Sequence, residues 1–140
     1  ALVTGREEVK FCTLDVCLFD LYQGSCEFVK AGACTTFIKK GEEVGTVKST
    51  TLPIGVIQNI EIDKERMDLE SGDFVIMVTD GVMDALPVGD QEEKMIEFIR
   101  NEESVNPKEF ARNILGEVLK CSGEMPLDDM TIMVIGIWRI

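Results

Sequence analysis

Histidine is absent from the 140 residues of this chain. Histidine is the usual base that activates serine and cysteine nucleophiles, so its absence excludes Ser-His-Asp and Cys-His catalysis. It also removes the imidazole ligands that zinc commonly uses, and none of the five cysteines forms a C-x-x-C pair. We therefore expect neither a histidine-based hydrolase nor a structural zinc site.

Positive charge is also scarce, because 14 lysines and arginines stand against 26 aspartates and glutamates and leave a net charge of −12. Binding to nucleic-acid phosphates or to an anionic membrane surface needs a basic face, so we expect neither partner. A solvated acidic surface that favours solubility explains most of this charge. An acidic protein can still act on a phosphorylated substrate if bound metal ions reverse the sign of the local field.

Long apolar runs are missing as well, since no stretch approaches the roughly 18 residues of a membrane span and no signal peptide is recognisable. An odd number of cysteines without a secretory signal indicates free thiols in a reducing cytosol, most of them as small core residues. The length suits one domain with a core of its own. The chain begins at Ala1 without a methionine, so we expect it to be a piece of a longer protein.

Alternating apolar and polar residues, separated by turn residues, predict a meander of antiparallel strands in the first half of the chain. In the first of these strands the even positions from Cys12 to Leu18 form the apolar face, and Gln23-Gly24-Ser25 predicts a hairpin turn. Leu52-Pro53-Ile54-Gly55 is predicted to be a rigid loop, and an irregularity is expected near Lys64. The predicted strands cover residues 9–22, 26–31, 35–39, 44–48, 60–69 and 74–79.

Two helices and a closing strand are predicted in the second half of the chain. Asp90 is expected to cap the first helix and Asn106 the second, with Pro107 at its first helical position. A loop is predicted over residues 123–126 and a closing strand over residues 131–138. This order, in which several strands come first, two helices follow and one strand closes the chain, is typical of an α+β fold. The residues predicted to face the core are Met95, Ile96 and Ile99 in the first helix, and Phe110, Ile114, Leu115, Val118 and Leu119 in the second.

Two short acidic segments carry the strongest chemical signal. The first acidic turn, Thr79-Asp80-Gly81, ends one apolar strand, and the second acidic turn, Asp128-Asp129-Met130-Thr131, begins the closing strand. A carboxylate at a strand end sits on a rigid element, and two of them brought together would bind a hard cation such as Mg2+ or Mn2+. Each segment also has a structural explanation, because Asp-Gly is a common turn dipeptide and the second segment can cap a turn. Neither has the spacing of an EF-hand loop.

A series of motifs extends this signal over essentially the whole chain. In order, they are Phe11-x-Thr13-Leu14-Asp15, Asp20-Leu21-Tyr22-x-Gly24, Phe28-x-Lys30-Ala31-Gly32, Leu52-Pro53-Ile54-Gly55, Gly72-Asp73, the first acidic turn, Val82-Met83-Asp84-Ala85 and the second acidic turn. The series resembles the metal-dependent (PPM, type 2C) serine/threonine phosphatases, and within them the bacterial branch of stage II sporulation protein E. The resemblance implies an α+β fold in which two antiparallel sheets are flanked by helices, an αββα layering.

The resemblance also implies roles for the acidic turns. In that family the aspartate of the first turn and the first aspartate of the second bind metal, and these are Asp80 and Asp128 here. Gly81 and Asp129 would lie beside the ion without binding it, and Gly81 would let the backbone approach the ion closely. Asp84 has no assigned role. The family carries an earlier bridging aspartate, in a D-G-M-G-type stretch, that this sequence lacks. We therefore expect residues 1–140 to be a single partial phosphatase domain, its C-terminal portion. It should bind one ion weakly or none, whereas the intact domain binds two ions of Mn2+ or Mg2+.

By resemblance, the intact domain hydrolyses phosphoserine with water that two metal ions activate, without a covalent enzyme intermediate. Its expected substrate is a phosphorylated anti-anti-sigma factor, whose dephosphorylation activates a sporulation sigma factor. We expect this chain alone to be inactive, to belong to the cytoplasmic part of a larger membrane-anchored protein, and to self-associate through exposed strand edges. Two alternatives stay open. One is a non-catalytic module with a phosphatase-like fold that binds a phosphoprotein or another partner, and the other is an unrelated α+β domain whose acidic turns are only turns.

Overall fold

The computed structural model describes residues 10–56, 61–123 and 128–139. Within these ranges the chain forms seven strands and three helices, and the strands lie in two antiparallel sheets. The mixed α+β class predicted from the sequence is therefore confirmed. In chain order the elements are β1 (Leu14–Asp20), β2 (Ser25–Ala31), β3 (Thr36–Lys40), β4 (Glu43–Val47), β5 (Asp63–Asp68), β6 (Phe74–Val78), α1 (Asp80–Asp84), α2 (Gln91–Asn101), α3 (Pro107–Ser122) and β7 (Ile132–Gly136).

The chain divides into two compact units. The first unit comprises Ala1–Ala33 and Lys48–Leu69, and the second unit comprises Cys34–Val47 and Glu70–Ile140. The first contains the sheet with strand order β1-β2-β5, and the second contains the sheet with strand order β4-β3-β6-β7 together with the three helices. None of the helices that the structure describes has the length and apolar character of a bilayer-spanning segment.

β1 is shorter than the strand predicted from the sequence, whose start at residue 9 lies outside the described residues. Before β1, Cys12 forms only an isolated bridge with Ile54, through backbone hydrogen bonds of 2.8 and 2.7 Å. The strand ends at Asp20 because the side chain of this residue accepts hydrogen bonds from the backbone N–H groups of Tyr22 and Gln23, at 2.9 and 3.0 Å. This aspartate turn closes the hairpin between β1 and β2.

The β1–β2 hairpin buries a face that hydrophobicity alone did not identify. Cys26, Phe28 and Lys30 of β2 are buried on this face, whereas Leu18, on the predicted apolar face of β1, is 58% exposed. The face can hold a lysine because Lys30 lies opposite Asp15 in the strand register, and their side chains form an ion pair of 2.8 Å. The prediction for the apolar face was therefore wrong at Leu18.

One carboxylate, that of Asp63, holds the beginning of the Lys48–Leu69 part of the first unit. Asp63 accepts hydrogen bonds from the hydroxyl groups of Ser49, Thr50 and Thr51 and from the backbone N–H groups of the two threonines. These bonds, with the Thr50 hydroxyl first among them, lower the pKa of Asp63 to about 2. β5 starts at this anchored residue and pairs with β2 in continuous register, without the irregularity that was expected near Lys64.

The second unit packs α2 and α3 against one face of its sheet around an apolar core. In β6, every second residue points into this core, which is the alternation expected of a strand covered on that face. The helical core prediction is confirmed for five of eight positions. Ile96 and Leu115 are only partly buried, and Leu119 is 41% exposed and does not belong to the buried stripe. The core consists of Phe37, Phe74, Ile76, Val78, Val82, Leu86, Met95, Ile99, Phe110, Ile114 and Val118.

Both predicted helices begin at their predicted caps. The side chain of Asn106 accepts hydrogen bonds from the backbone N–H groups of Lys108 and Glu109, at 2.9 and 3.2 Å, and Pro107 follows at the first helical position. Asp90 occupies the same position in α2, but its side chain makes no capping hydrogen bond to the part of the chain that the structure describes. Most of the loop predicted over residues 123–126 lies outside the described residues.

Lys39 of β3 ties the C-terminal end of α2 to the sheet. Its ammonium group donates hydrogen bonds to the carbonyl oxygens of Ile99, at 3.0 Å, of Arg100, at 3.4 Å, and of Glu102. It also lies over the ring of Phe110, 5.6 Å from the ring centroid. Burial lowers the pKa of Lys39, while neighbouring glutamates act in the opposite direction. A cation is favoured at this position because the C-terminal end of a helix carries partial negative charge.

None of the five cysteines lies in a disulfide bond in this structure. Of the cysteines expected to be core residues, Cys26 is buried and Cys34 is partly buried against the apolar core of the second unit. Cys17 is partly buried, and Cys12 and Cys121 are exposed. The two exposed cysteines lie outside the sheets. Cys12 is in the segment before β1, and Cys121 is near the end of α3.

Candidate metal site at the acidic turns

The pairing of β6 with β7 brings the two acidic turns together. Val78, the last residue of β6, lies opposite Ile132, the first residue of β7. Because the two strands are antiparallel, the chain leaves β6 and enters β7 at the same edge of the sheet. The first acidic turn follows Val78 at this edge, and the second acidic turn precedes Ile132.

Two threonines join the turns directly. The backbone N–H of Thr79 donates a hydrogen bond of 3.1 Å to the carbonyl oxygen of Thr131. The backbone N–H of Thr131 donates a hydrogen bond of 2.9 Å to the side-chain Oγ1 of Thr79. The Thr79 hydroxyl thus takes the place of a backbone acceptor and continues the β6–β7 ladder by one more residue pair. The predicted strands 74–79 and 131–138 included both threonines, which lie just outside β6 and β7 in the structure, but the sequence pattern did not indicate that they link the turns.

Gly81 is buried against the second acidic turn. A Cβ atom added to this residue would lie 2.0 Å from the carbonyl oxygen of Asp129 and 2.9 Å from its carbonyl carbon. Backbone atoms cannot yield as the end of a flexible side chain can, so the absence of a side chain at this position permits the approach. The sequence-based expectation was that Gly81 lets the backbone approach an ion. The close neighbour in the structure is the carbonyl group of Asp129.

Asp80 is the first residue of the short helix α1, and not part of an irregular turn as the sequence suggested. Thr79 precedes it with extended backbone angles, φ −91° and ψ 164°, which are usual for the residue before a helix. A carboxylate at this position is favoured by the partial positive charge of a helix N-terminus. The sequence did not reveal α1 because five residues are too few to show a helical period. Asp84, the last residue of α1, is exposed.

Asp80 and Asp128 are both exposed, and so is Asp129 beside them. Oδ1 of Asp80 accepts a hydrogen bond of 3.0 Å from the backbone N–H of Gly81, and Oδ1 of Asp128 accepts one of 2.7 Å from the backbone N–H of Asp129. These local bonds orient each carboxylate with respect to its own turn. An ionised carboxylate has about four acceptor positions, so each of the two keeps the capacity to bind a cation.

The donors at this edge fit a hard divalent cation. Carboxylate and carbonyl oxygens suit Mg2+ and Mn2+, whereas zinc and copper prefer nitrogen or sulfur ligands. Within the described ranges, no group of three or more histidine, cysteine, aspartate or glutamate side chains could hold a metal ion. Mg2+ is commonly bound by one or two carboxylates together with water and substrate phosphates. Asp80 and Asp128 therefore fit an open site of this kind and do not form a closed protein cage.

Comparison with known proteins agrees with the motifs. A family model for Stage II sporulation protein E (SpoIIE) matches residues 1–138. Stage II sporulation protein E of Bacillus subtilis (strain 168) is 32% identical over 128 residues, which make up 91% of this chain but 16% of that protein. The chain thus spans only a small part of the length of this relative.

Solved structures show the same fold. The phosphatase domain of the cell fate determinant SpoIIE from Bacillus subtilis, presoaked with Mn, superposes with a TM-score of 0.81 at 29% identity, over 91% of this chain and 57% of that chain. A second structure holds the PP2C phosphatase domain of the same protein with a fragment of its regulatory domain. It superposes with a TM-score of 0.83 at 32% identity, over 89% of this chain and 37% of that chain. The chain has the fold of PP2C phosphatase domains, as the resemblance implied, and it belongs to the Stage II sporulation protein E family.

Proposed function

We propose that this chain contributes part of the active site of a metal-dependent protein phosphatase that hydrolyses phosphoserine. The observation that carries the proposal is the junction of the two acidic turns, where the Thr79–Thr131 hydrogen bonds and the contact of Gly81 with Asp129 bring the turns to one sheet edge. Membership of the SpoIIE family supports it. The activity is assigned to a longer protein, because the chain covers 57% of a solved SpoIIE phosphatase domain.

In this proposal each residue of the junction has a distinct task. Asp80 and Asp128 bind Mn2+ or Mg2+ through their carboxylate oxygens. Gly81 and Asp129 lie beside the ion without binding it, and their backbone contact keeps the two turns in register. Thr79 fixes the distance between the turns through its hydroxyl group. When bound, the metal polarises phosphoryl oxygens and lowers the pKa of a water molecule. The absence of histidine from the sequence agrees with hydrolysis by water and not through a histidine-activated nucleophile.

Two carboxylates are few for a centre that holds two ions. The described residues contain no group of three or more histidine, cysteine, aspartate or glutamate side chains placed to hold a metal ion. We therefore propose that this chain alone binds one ion weakly or none and does not turn over a phosphoserine protein. In the intact domain, the further ligands include the bridging aspartate that the family resemblance implies upstream.

The substrate that we propose is a phosphorylated anti-anti-sigma factor, whose dephosphorylation activates a sporulation sigma factor. The family assignment supports this choice, as does the description of the Bacillus subtilis relative as a cell fate determinant. We place the domain in the cytoplasm, as part of a larger membrane-anchored protein. We also propose that the chain self-associates through β7. This strand is an edge strand of the described sheet, because it pairs on one side only, and its Met133 is 54% exposed.

A non-catalytic module that binds a phosphoprotein is the second candidate. The observation that favours it is the small number of grouped carboxylates in the described part of the chain. Such a module would bind its partner equally well with and without a divalent cation. A phosphatase would lose activity when the cation is removed by a chelator.

Calorimetric titration with Mn2+ tests the proposed site. The chain is compared with a version extended upstream to include the missing part of the domain, and stoichiometric, tight binding is expected only in the extended version. In that version, Asp80→Asn and Asp128→Asn should each abolish binding. Asp84→Asn is the matched control, because it removes the same charge from the same short helix and should leave binding intact. Equal losses in all three variants would point to non-specific attraction of the cation to an acidic protein.

Hydrolysis of a phosphoserine protein by the extended version tests the activity. We expect Mn2+-dependent release of phosphate that Asp80→Asn abolishes and Asp84→Asn preserves. Full activity of the Asp80→Asn variant would overturn the site assignment. Robust activity of the 140-residue chain alone would show that the upstream aspartate is dispensable.

A further inference from the structure

Cys17 and Cys26 bring two thiols together on the buried face of the β1–β2 hairpin. In the strand register Cys17 lies opposite Phe28, and Cys26 lies opposite Phe19. The two cysteines are therefore offset by two residues across the strand pair, and they share one face of the sheet. Their Sγ atoms are 2.7 Å apart, although both residues are free thiols.

The two sulfur atoms need to move only a little for a covalent bond to form between them. The S–S bond of a disulfide is about 2.05 Å long, so a shift of less than about 1 Å would join the two sulfurs. β1 can supply such a shift because, in the part of the chain that the structure describes, it is an edge strand that pairs with β2 alone.

We propose that Cys17 and Cys26 form a site of reversible oxidation, at which a small oxidant such as hydrogen peroxide converts the two thiols into an intrachain disulfide. The geometry of the hairpin carries this proposal, since it depends on the contact of the two sulfurs and not on the metal site. It is independent of the proposed phosphatase activity.

The hydrogen bond between the two thiols favours the first step. When the thiol of Cys17 donates this bond, it lowers the pKa of Cys26 and raises its own. The Cys26 thiolate attacks one oxygen of hydrogen peroxide, the O–O bond breaks, and a sulfenic acid and hydroxide result. Hydroxide takes the proton of the Cys17 thiol and becomes water. The Cys17 thiolate then attacks Sγ of Cys26, which forms the S–S bond and releases the sulfenic oxygen as hydroxide.

Each cycle oxidises the two sulfurs by one electron each and reduces the two oxygens of peroxide. The reverse reaction needs a thiol reductant, which attacks the disulfide and restores both cysteines by exchange. The buried position of Cys26 means that peroxide, and not a bulky disulfide, is the oxidant expected to reach the pair.

Peptide mapping tests the proposal on the full chain. Digestion with trypsin and with an endoproteinase that cleaves before aspartate places each cysteine on its own peptide, with Cys17 in residues 15–19 and Cys26 in residues 20–30. The protein is treated with hydrogen peroxide, its remaining thiols are alkylated under denaturing conditions, and the peptides are identified by mass spectrometry. We expect a linked 15–19/20–30 product whose yield is independent of protein concentration and which dithiothreitol removes.

Two variants complete the experiment. Cys17→Ser should abolish the linked product, whereas Cys121→Ser, which removes an exposed thiol far along the chain, should leave its yield unchanged. The proposal is overturned if Cys17 and Cys26 stay fully alkylatable in the wild-type chain while the exposed cysteines oxidise. It is equally overturned if the two cysteines pair with others as readily as with each other.

Discussion

Replacing Gly81 by alanine would force the two acidic turns apart. The added Cβ would lie 2.0 Å from the carbonyl oxygen of Asp129 and 3.4 Å from the carbonyl carbon of Asp128. Favourable contacts between heavy atoms begin at about 3.5 Å, so about 1.5 Å of backbone movement is needed to relieve the overlap fully. This movement must stretch the Thr79–Thr131 hydrogen bonds or tilt α1.

The cost follows from two opposing terms. Extra atoms in a well-packed site cost typically about 1–3 kcal/mol, and a clash with backbone belongs at the upper end of this range. Alanine is a better helix former than glycine by about 1 kcal/mol, which offsets part of the cost because Gly81 lies in α1. We therefore expect the free energy of unfolding of the second unit to fall by about 2 kcal/mol.

Trp138 provides the assay, because it is the one tryptophan of the chain and lies in the second unit, edge-on to Phe74 at 5.7 Å. With a urea dependence of about 2 kcal/mol per molar, Gly81→Ala should lower the midpoint followed by Trp138 fluorescence by about 1 M. Gly116→Ala is the matched control, since an added Cβ there meets no atom within 4 Å and α3 gains helix propensity. The reasoning is refuted if Gly81→Ala unfolds at the wild-type midpoint or shifts in the same direction as the control.

Three further predictions concern individual hydrogen bonds. Thr79→Val keeps the shape of the side chain but removes the acceptor for the N–H of Thr131, and urea unfolding should show a loss of about 1 kcal/mol that Thr79→Ser restores. Asn106→Ala removes the cap of α3 and should cost about 1 kcal/mol by the same assay, whereas Asp90→Ala should cost less. Asp63 has a folded pKa of about 2, below its ordinary value of 3.8, so its contribution to stability is complete above about pH 4 and is lost as the pH falls towards 2. Thermal unfolding followed by circular dichroism should therefore depend less on pH in Asp63→Asn than in the wild type.

Each of these predictions has a result that would contradict it. Equal stability of the Thr79 valine and serine variants would mean that the hydroxyl does not link the turns. Equal costs at Asn106 and Asp90 would mean that side-chain capping does not distinguish the two helices. A pH dependence in Asp63→Asn that matches the wild type between about pH 4 and pH 2 would assign the acid sensitivity to other carboxylates.

Local signals in the sequence predicted the elements that depend on local physics. Asn106 and Pro107 marked the start of α3 because a cap satisfies backbone groups within one turn of itself. The continuous apolar run Phe74–Val78 marked a buried strand, because a short run of consecutive apolar residues between turn signals is typical of such a strand. α1 escaped prediction because a helix of five residues has no repeating apolar face.

Contacts between distant segments could not be predicted from these local patterns. The buried position of Lys30 depends on Asp15 in the neighbouring strand, so hydrophobicity assigned the wrong face. Gly32 illustrates the same limit, because a Cβ at this residue would lie 2.4 Å from the backbone nitrogen of Pro53. The motifs around both residues were visible in the sequence, but the contact that explains the glycine requires the fold.

For the candidate site, too, sequence motifs predicted one part and the fold explained the other. That Asp80 and Asp128 belong together followed from a family resemblance, since 48 positions separate them and no local rule joins them. The β6–β7 register supplies the physical reason, because it ends one strand and begins the other at the same edge. Thr79 accepts a hydrogen bond from the second acidic turn, and Gly81 lies close to that turn because it has no side chain.

An open pair of carboxylates has a consequence for how such a site would work. An ion held by two protein groups keeps positions for water and for phosphate oxygens, which a closed cage would occupy. Because so few protein groups hold the ion, its affinity depends on how those groups, and the groups that complete its ligands, are placed. The Thr79 hydroxyl sets the spacing of the two turns, so its loss should weaken Mn2+ binding in the extended version even though Thr79 is not a ligand. If Thr79→Val destabilised the fold yet bound Mn2+ as tightly as the wild type, the spacing of the two turns would not control the site.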